Sequence, residues 1–341
     1  MNFRPISNDR FILGEGPHWD GAKQELLWVD IAGQIAYAWH PDTDRLRRWA
    51  FDQPVSAIVP RTNGHYLVAT GRGAYDLDPE TSRLTPVAEP AEEHPRNRTN
   101  EARVDPRGRF WLASMENNIG PNAESLPVDK STGMLWCIDT DQSLRQVESE
   151  IGISNSLVWS PNHKQMYFAD TLKSVIWVYD WDADSGHASN RRVFADTQGY
   201  GNPDGSAMDE EGCLWNARWG AGCIIRYRPD GVSIALSMYP PDAPAAVYSA
   251  GRIGAPCMSP PRTSAWIRRN AVSWMGPCLW PEPMSPARPV LRSPADIHPE
   301  GRVLCLRLSR PVPITNERLT KFGLWMKRKA HGAQDTRHTY W

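Results

Sequence analysis

Along the first 237 residues short apolar runs alternate with tight-turn signals, and no apolar stripe recurs at helical spacing. The runs are LLWVDI ending at Ile31, YLVAT from Tyr66, RFWLAS from Arg109, MYFADT from Met166 and CLWNAR from Cys213. Each follows a turn cue: Asp20-Gly21, Asn63-Gly64, the DPRG from Asp105, the SPNH from Ser160, and Glu211-Gly212. Superposing the runs on Trp28, Leu67, Trp111, Phe168 and Trp215 gives spacings of 39, 44, 57 and 47 residues. A second strand pattern and a turn rich in Asp, Pro and Gly complete each unit, as in IAYAWHPDTDRL, GAYDLDPETSRL, MLWCIDTDQSL, VIWVYDWDADSG and IIRYRPDGV. Several short strands in a unit of about 45 residues form the pattern of an all-β propeller. A β-sandwich spaces its strands every ~8–12 residues and gives no reason for the longer period. Five blades are recognisable in residues 1–237, and a sixth aligned strand is due near residue 257. The sequence there, IGAPCMSPPRTSAW, carries prolines that remove ladder donors.

Charge marks the same boundary. The chain of 341 residues has a formal net charge of −1, but residues 238–341 hold 15 basic and 6 acidic side chains and 15 of the 30 prolines. The first 237 residues are therefore acidic by ten charges and the tail basic by nine. The basic residues of the tail form no stripe or amphipathic face, which argues against a nucleic-acid or membrane surface. Read one nucleotide out of phase, Tyr248 to Arg269 permits F-G-G-A-D-R-x-T-L-Y-V-T-S-A, with a strand at 256–259 where the period demands one. The expectation is a propeller in 1–237, with 238–341 a poorly ordered, out-of-frame tail in place of the sixth blade.

Composition excludes other classes. No uncharged apolar run approaches the ~20 residues of a membrane helix, and MNFRPISNDRF lacks the apolar core and cleavage site of a signal peptide, so the expected compartment is the cytoplasm. Six scattered cysteines without a CxxC pair speak against a disulfide framework or a structural zinc site. No GxSxG, HExxH, Walker or GxGxxG element stands in structural context, so serine-nucleophile and nucleotide chemistry lack support.

Propellers place ligands at the mouth of the central channel, on loops entering and leaving the innermost strands. Glu15 in LGEGPHWD, Asn155 in GISNSLVW and Asp204 in NPDGSAMD each precede an aligned strand at a comparable phase of the repeat, and Arg98 and Asn100 in RTNEARVDPRGRFW lead into the third. Taken singly these are ordinary turn residues; a shared phase is what turns need not have. Two carboxylates and one amide aimed at one axial spot suit a hard divalent cation such as Ca²⁺, Mg²⁺ or Mn²⁺. His18, beside Trp19, reads as packing and not as a ligand. The tryptophans recur at strand positions and read as core between blades.

At these residues the sequence resembles the senescence marker protein, regucalcin and gluconolactonase family of six-bladed propellers. The matching stretches are GEGPHWD at Gly14, RTNEARVDPRGRFWLASM at Arg98, GISNSLVWSPNHKQMYFAD at Gly152 and GNPDGSAMDEEGCLWNARWGAGCIIRYRPDG at Gly201, within residues 10–237. The resemblance implies one divalent metal ion (Ca, Zn, Mg, Mn or Fe) held by Glu15, Asn155 and Asp204. It implies that Arg98 and Asn100 hydrogen-bond a small-molecule sugar lactone, with Asn118 in the stretch where some members carry a substrate-facing Glu. The usual Asn-Asp-Gly is Asn100-Glu101-Ala102 here, and the usual Asn-Gly is Asn155-Ser156. The expected function is metal-dependent hydrolysis of a sugar lactone to the aldonic acid by a monomer, with Asp204 as general base. A metal-dependent phosphotriesterase or aryl esterase, a calcium-binding regulatory protein, and an inactive truncated product are the alternatives.

Overall fold

The computed structural model describes residues 11–90, 94–197 and 199–238, and the backbone of strands at 2–5, 248–250, 271–274 and 304–307. Among the described residues all regular structure is strand, so no helix is long and apolar enough to cross a membrane. After β1 (Asn2–Pro5), blade one comprises β2 (Gly14–Asp20), β3 (Glu25–Asp30), β4 (Ile35–His40) and β5 (Arg45–Ala50). Blade two is β6 (Val55–Pro60), β7 (Tyr66–Thr70), β8 (Gly73–Leu77) and β9 (Leu84–Ala88). Blade three is β10 (Asn97–Val104), β11 (Phe110–Glu116), β12 (Gly133–Ile138) and β13 (Leu144–Ile151). Blade four is β14 (Ser154–Trp159), β15 (Gln165–Asp170), β16 (Val175–Asp182) and β17 (His187–Asp196). Blade five is β18 (Asn202–Met208), β19 (Leu214–Trp219), β20 (Cys223–Tyr227) and β21 (Ser233–Met238).

Each blade is an antiparallel sheet in chain order, as the repeat requires. The tail contributes β22 (Tyr248–Ala250), β23 (Ala271–Trp274) and β24 (Leu304–Arg307) to a sixth sheet, which β1 completes. β22 lies between β18 and β2, so the sixth sheet stands where the ring closes. The shifted-frame strand expected at 256–259, and the rest of 239–341 apart from these strands, lie outside the described residues.

The turn cues explain the hairpins. Gly64, Gly108 and Gly212 all take positive φ just ahead of the second strand of their blades, at 89°, 89° and 77°, the left-handed step that reverses the chain without a Cβ penalty. Asp105 and Asp209 reinforce two of these turns. Their Oδ1 atoms accept two backbone N–H groups each, and their Oδ2 atoms accept the indole N–H of Trp111 and Trp215.

The second strands are buried on both faces because blades stack face to face. Leu27, Val29 and Ile31 of blade one pack on Val55, Ile58 and Val68 of blade two. Ala57 and Ala69 of blade two meet Phe110 and Leu112 of blade three. Trp111 and Leu135 meet Trp159 and Phe168 across the third and fourth blades, with the Trp111 and Trp159 rings 5.7 Å apart. Burial of each large side chain among these is worth about 1.5–3 kcal/mol, and Trp111 and Phe168, two of the aromatic positions read from the repeat, are core between blades.

Candidate functional site

The aligned strands of the sequence are the second strands of the blades, and the innermost strands start earlier. Glu15, Arg98, Asn100, Asn155 and Asp204 accordingly lie on innermost strands, not on loops entering them. The pattern concealed this because segments such as GEGPHWD have no polar/apolar alternation. The irregularity is a β-bulge in each of the five strands. The ladder slips between Glu15 and His18, Val55 and Ala57, Thr99 and Glu101, Asn155 and Val158, and Pro203 and Ser206. A bulge leaves residues without ladder partners and re-aims their side chains; Ser56, Asn100 and Asp204 are among the residues so released, whereas Glu15 and Asn155 are the last paired residues before the slip. Gly16 permits the first bulge: its φ is +59°, and a Cβ would lie 2.9 Å from the Ser56 carbonyl oxygen.

The structure brings Glu15 and Asp204 together from blades one and five. Burial pushes both carboxyls well above the usual carboxylate range; Asp204 raises Glu15 further, and Glu101 raises both. Opposing this, Arg98 and the Gly16 N–H favour ionised Glu15, and the Gly205 N–H and Arg218 favour ionised Asp204. Asn155 is buried beside them in blade four. Its Nδ2 donates to Thr171 Oγ1 at 2.9 Å, and Thr171 donates on to the Pro203 carbonyl at 2.6 Å. The amide is thereby oriented with Oδ1 as its ligand atom. The carboxyls of Glu15 and Asp204 and the amide of Asn155 are hard-oxygen groups, the donor chemistry that a divalent cation takes.

Glu101 was not among the residues expected here. It accepts the backbone N–H groups of Leu157 and Ser156, the pair that the blade-four bulge leaves out of the ladder, while burial holds its own carboxyl high. Arg103, two residues along the same strand, lies 3.9 Å from Glu101 and donates to the Ser206 carbonyl at 3.2 Å, spanning blades three and five. Alternation along a strand placed both on one face, but a bulge between Thr99 and Glu101 hid that phase. His18 shares this layer; burial first and Arg103 second lower its pKa to about 3, so the ring is neutral.

Beside the carboxyls stands a second polar group. Arg98, buried, donates through Nη1 to Thr99 O and Asn100 Oδ1, both at 2.8 Å, and through Nε and Nη2 to Asn118 Oδ1 at 3.0 and 2.5 Å. Asn100 Nδ2 donates to Ser154 O at 2.8 Å, tying blade three to blade four. The three residues expected at the substrate are therefore one cluster in which Arg98 orients the two amides. Among the described residues Asn118 Nδ2 is buried without a hydrogen-bond partner, a donor that a ligand oxygen would satisfy.

A different cluster, Asp209, Glu211 and Cys213, has metal-ligand spacing at the far end of the blade-five hairpin. Arg226 Nη2 reaches both carboxylates at 2.6 Å, so one of the two negative charges is already paired.

A family model described as "SMP-30/Gluconolactonase/LRE-like region" matches residues 13–252. Over 226 residues the chain is 34% identical to regucalcin of Xenopus laevis, covering 66% of this chain and 74% of that one. The solved structure of a calcium-binding protein, regucalcin, from Agrobacterium tumefaciens superposes with a TM-score of 0.64 at 30% identity, over 70% of this chain and 78% of that one. A luciferin-regenerating enzyme shares the fold, with a TM-score of 0.72 at 24% identity over 92% and 97% of the two chains. By its propeller, its motifs and this match, the chain belongs to the SMP-30/gluconolactonase/LRE-like family.

Proposed function

We propose that the chain is a metal-dependent hydrolase of sugar lactones. What supports this reading is that Glu15 feels the charges of both Asp204 and Arg98, that Asn155 is tied through Thr171 to the Pro203 carbonyl next to Asp204, and that Arg98 binds Asn100 and Asn118. A divalent cation held by Glu15, Asn155 and Asp204 would supply Lewis acidity to the lactone carbonyl and to the attacking water. Asn118 Nδ2 and the Asn100 amide present neutral hydrogen-bonding groups to ring hydroxyls, and Arg98 holds them in place. Asp204, whose own proton a bound cation would displace, would take the proton of the water as its oxygen bonds to the carbonyl carbon. The ring acyl C–O bond breaks, the ring oxygen leaves as a hydroxyl by regaining a proton, and the product is the aldonic acid. Burial keeps bulk water from competing for these groups.

The test is hydrolysis of gluconolactone by the full chain, followed as acid release, after chelation and after return of Ca²⁺, Mn²⁺, Zn²⁺ or Mg²⁺. Activity that vanishes with chelator, returns with one of these ions and is lost in Asp204→Ala supports the reading. Full activity in Asp204→Ala, or faster hydrolysis of paraoxon than of the lactone, would overturn it. A calcium-binding role without catalysis is the second reading, favoured by the all-oxygen donor set and by the calcium-binding protein it resembles.

A further inference from the structure

The bulge in β18 leaves Asp204 and Gly205 without ladder partners, since Pro203 pairs with Arg218 and Ser206 with Asn216. The Asp204 carbonyl would then be a buried acceptor without a donor, which folded chains avoid. Two side chains supply it. The Ser156 hydroxyl, from blade four, donates to Asp204 O, and Asn216 Nδ2 donates to the same oxygen at 2.9 Å.

Proton accounting fixes the rest of the network. The single O–H of Ser156 is used on Asp204, so Ser206, 2.8 Å away, donates to Ser156 Oγ. Asn216 Nδ2 lies 3.0 Å from both serine oxygens. Arg218, which has only donors, gives Nη1–H to Asn216 Oδ1 at 2.8 Å and so decides which way that amide faces. Its other nitrogens hold the carbonyls of Thr197, Tyr200 and Gly201, the segment leading into β18. Ser156, Ser206, Asn216 and Arg218 are all fully buried.

Ser156 also stands at φ +60°, the left-handed region where a Cβ is unfavourable and glycine is not. Glycine would relieve the backbone but delete the hydroxyl that reaches Asp204. A side chain kept in that conformation, with its oxygen on the backbone of a residue in the next blade, points to a positioning role.

We propose that Ser156 and Asn216 form a latch between blades four and five that fixes the Asp204 backbone and thereby sets the affinity of the site for its cation. The proposal rests on the metal-site reading above. Ser156 sits one residue after Asn155, so the latch fixes two of the three ligand-bearing strands against each other.

The experiment is direct binding of Mn²⁺ to the full chain, followed by the electron paramagnetic resonance of free Mn²⁺, with melting of the chelated protein measured alongside. Ser156→Gly and Ser156→Ala are each expected to weaken Mn²⁺ binding by about tenfold or more, as loss of an outer-shell partner does. The chelated Ser156→Gly protein is expected to melt close to the wild type, because the relieved backbone offsets the lost hydrogen bond. Mn²⁺ affinity within about twofold of wild type in both variants, while Asp204→Asn abolishes binding, would sink the latch and leave the metal site standing. A wild-type chain that binds no Mn²⁺ would remove the metal reading itself, and the latch with it.

Discussion

Substituting Asp204 by Asn should make the metal-free protein more stable at pH 8, although it removes a proposed ligand. The Asp204 carboxyl is pushed up to about 8 by burial first and by Glu101 second, from an ordinary value of 3.8. The native state therefore holds a proton between pH ~4 and ~8 that the unfolded chain has released. Stability from this group is fully present below pH ~4 and is lost as pH rises through ~8, at about 1.4 kcal/mol per pH unit for one full proton. Glu15, raised by burial first and by Asp204 second, is relieved as well, so a gain of at least about 2–3 kcal/mol is expected from neutralising Asp204 at pH 8. Asn keeps an acceptor oxygen for the Gly205 N–H. For a fold of this size the gain corresponds to a melting temperature higher by about 5–10 °C. The assay is thermal unfolding in chelator from pH 5 to 8.5, then at pH 8 with saturating Ca²⁺. The wild type should fall in stability with rising pH more steeply than the variant, and Ca²⁺ at a hundred times its Kd should restore it by about 2.7 kcal/mol. Ca²⁺ should do nothing for the variant. A variant that melts at or below the wild type at pH 8 without metal, or two parallel pH profiles, would refute the claim that the channel carboxyls repel one another.

Asp30→Ala should destabilise the fold by about 2–3 kcal/mol in urea unfolding, because the buried carboxylate accepts the N–H groups of Ile12, Leu13 and Gly33, each at 2.9 Å, and so pins the entry to the strand that carries Glu15. A loss under 0.5 kcal/mol would contradict that accounting. Arg98→Lys keeps the charge but cannot make the paired contact with Asn118 Oδ1. It should raise the KM for the lactone by about tenfold with the Mn²⁺ affinity unchanged; a weakened Mn²⁺ affinity with unaltered KM would place Arg98 with the metal instead.

The fold was legible because each unit repeats its punctuation. Asn63-Gly64, the DPRG from Asp105 and Glu211-Gly212 became hairpin turns at their expected places, with glycine in the left-handed step. Trp111 and Phe168 became core between blades, and Trp28 is buried against Phe11 and Tyr37. Glu15 and Asn155 are each the last paired residue before the bulge of their strand, and Asp204 stands one step later, inside its own. What escaped the reading depends on partners far apart in sequence. Glu101 acquires its role from N–H groups more than fifty residues away, Arg103 from a carbonyl 103 residues away and Ser156 from one 48 away. Arg218 lies in a run, LWNAR, that reads as an ordinary strand, yet its guanidinium is fully buried among carbonyls. No local propensity records such a contact.

The placement of the carboxyls also ties the site to ring closure. Asn155 and Asp204 sit on adjacent blades and are fixed directly, through Thr171 on the Pro203 carbonyl and through Ser156 on the Asp204 carbonyl. Glu15 has no such brace to blade five: between β2 and β18 stands β22. Its distance from Asp204 is set by the sixth sheet on one side and by the chain of blades two, three and four on the other. That chain is braced too, by Ser56 on Thr99, Asn100 on Ser154 and Glu101 on the Ser156 and Leu157 N–H groups. Above pH ~8, where Asp204 has shed its proton, repulsion between Glu15 and Asp204 would act to open the ring at its closing sheet, whereas a cation held by both would draw blades one and five together. On the proposed metal site, cation affinity and closure of the propeller would be one coupled equilibrium, in which whatever loosens β1, β22, β23 and β24 would weaken cation binding and whatever binds the cation would stabilise the seam.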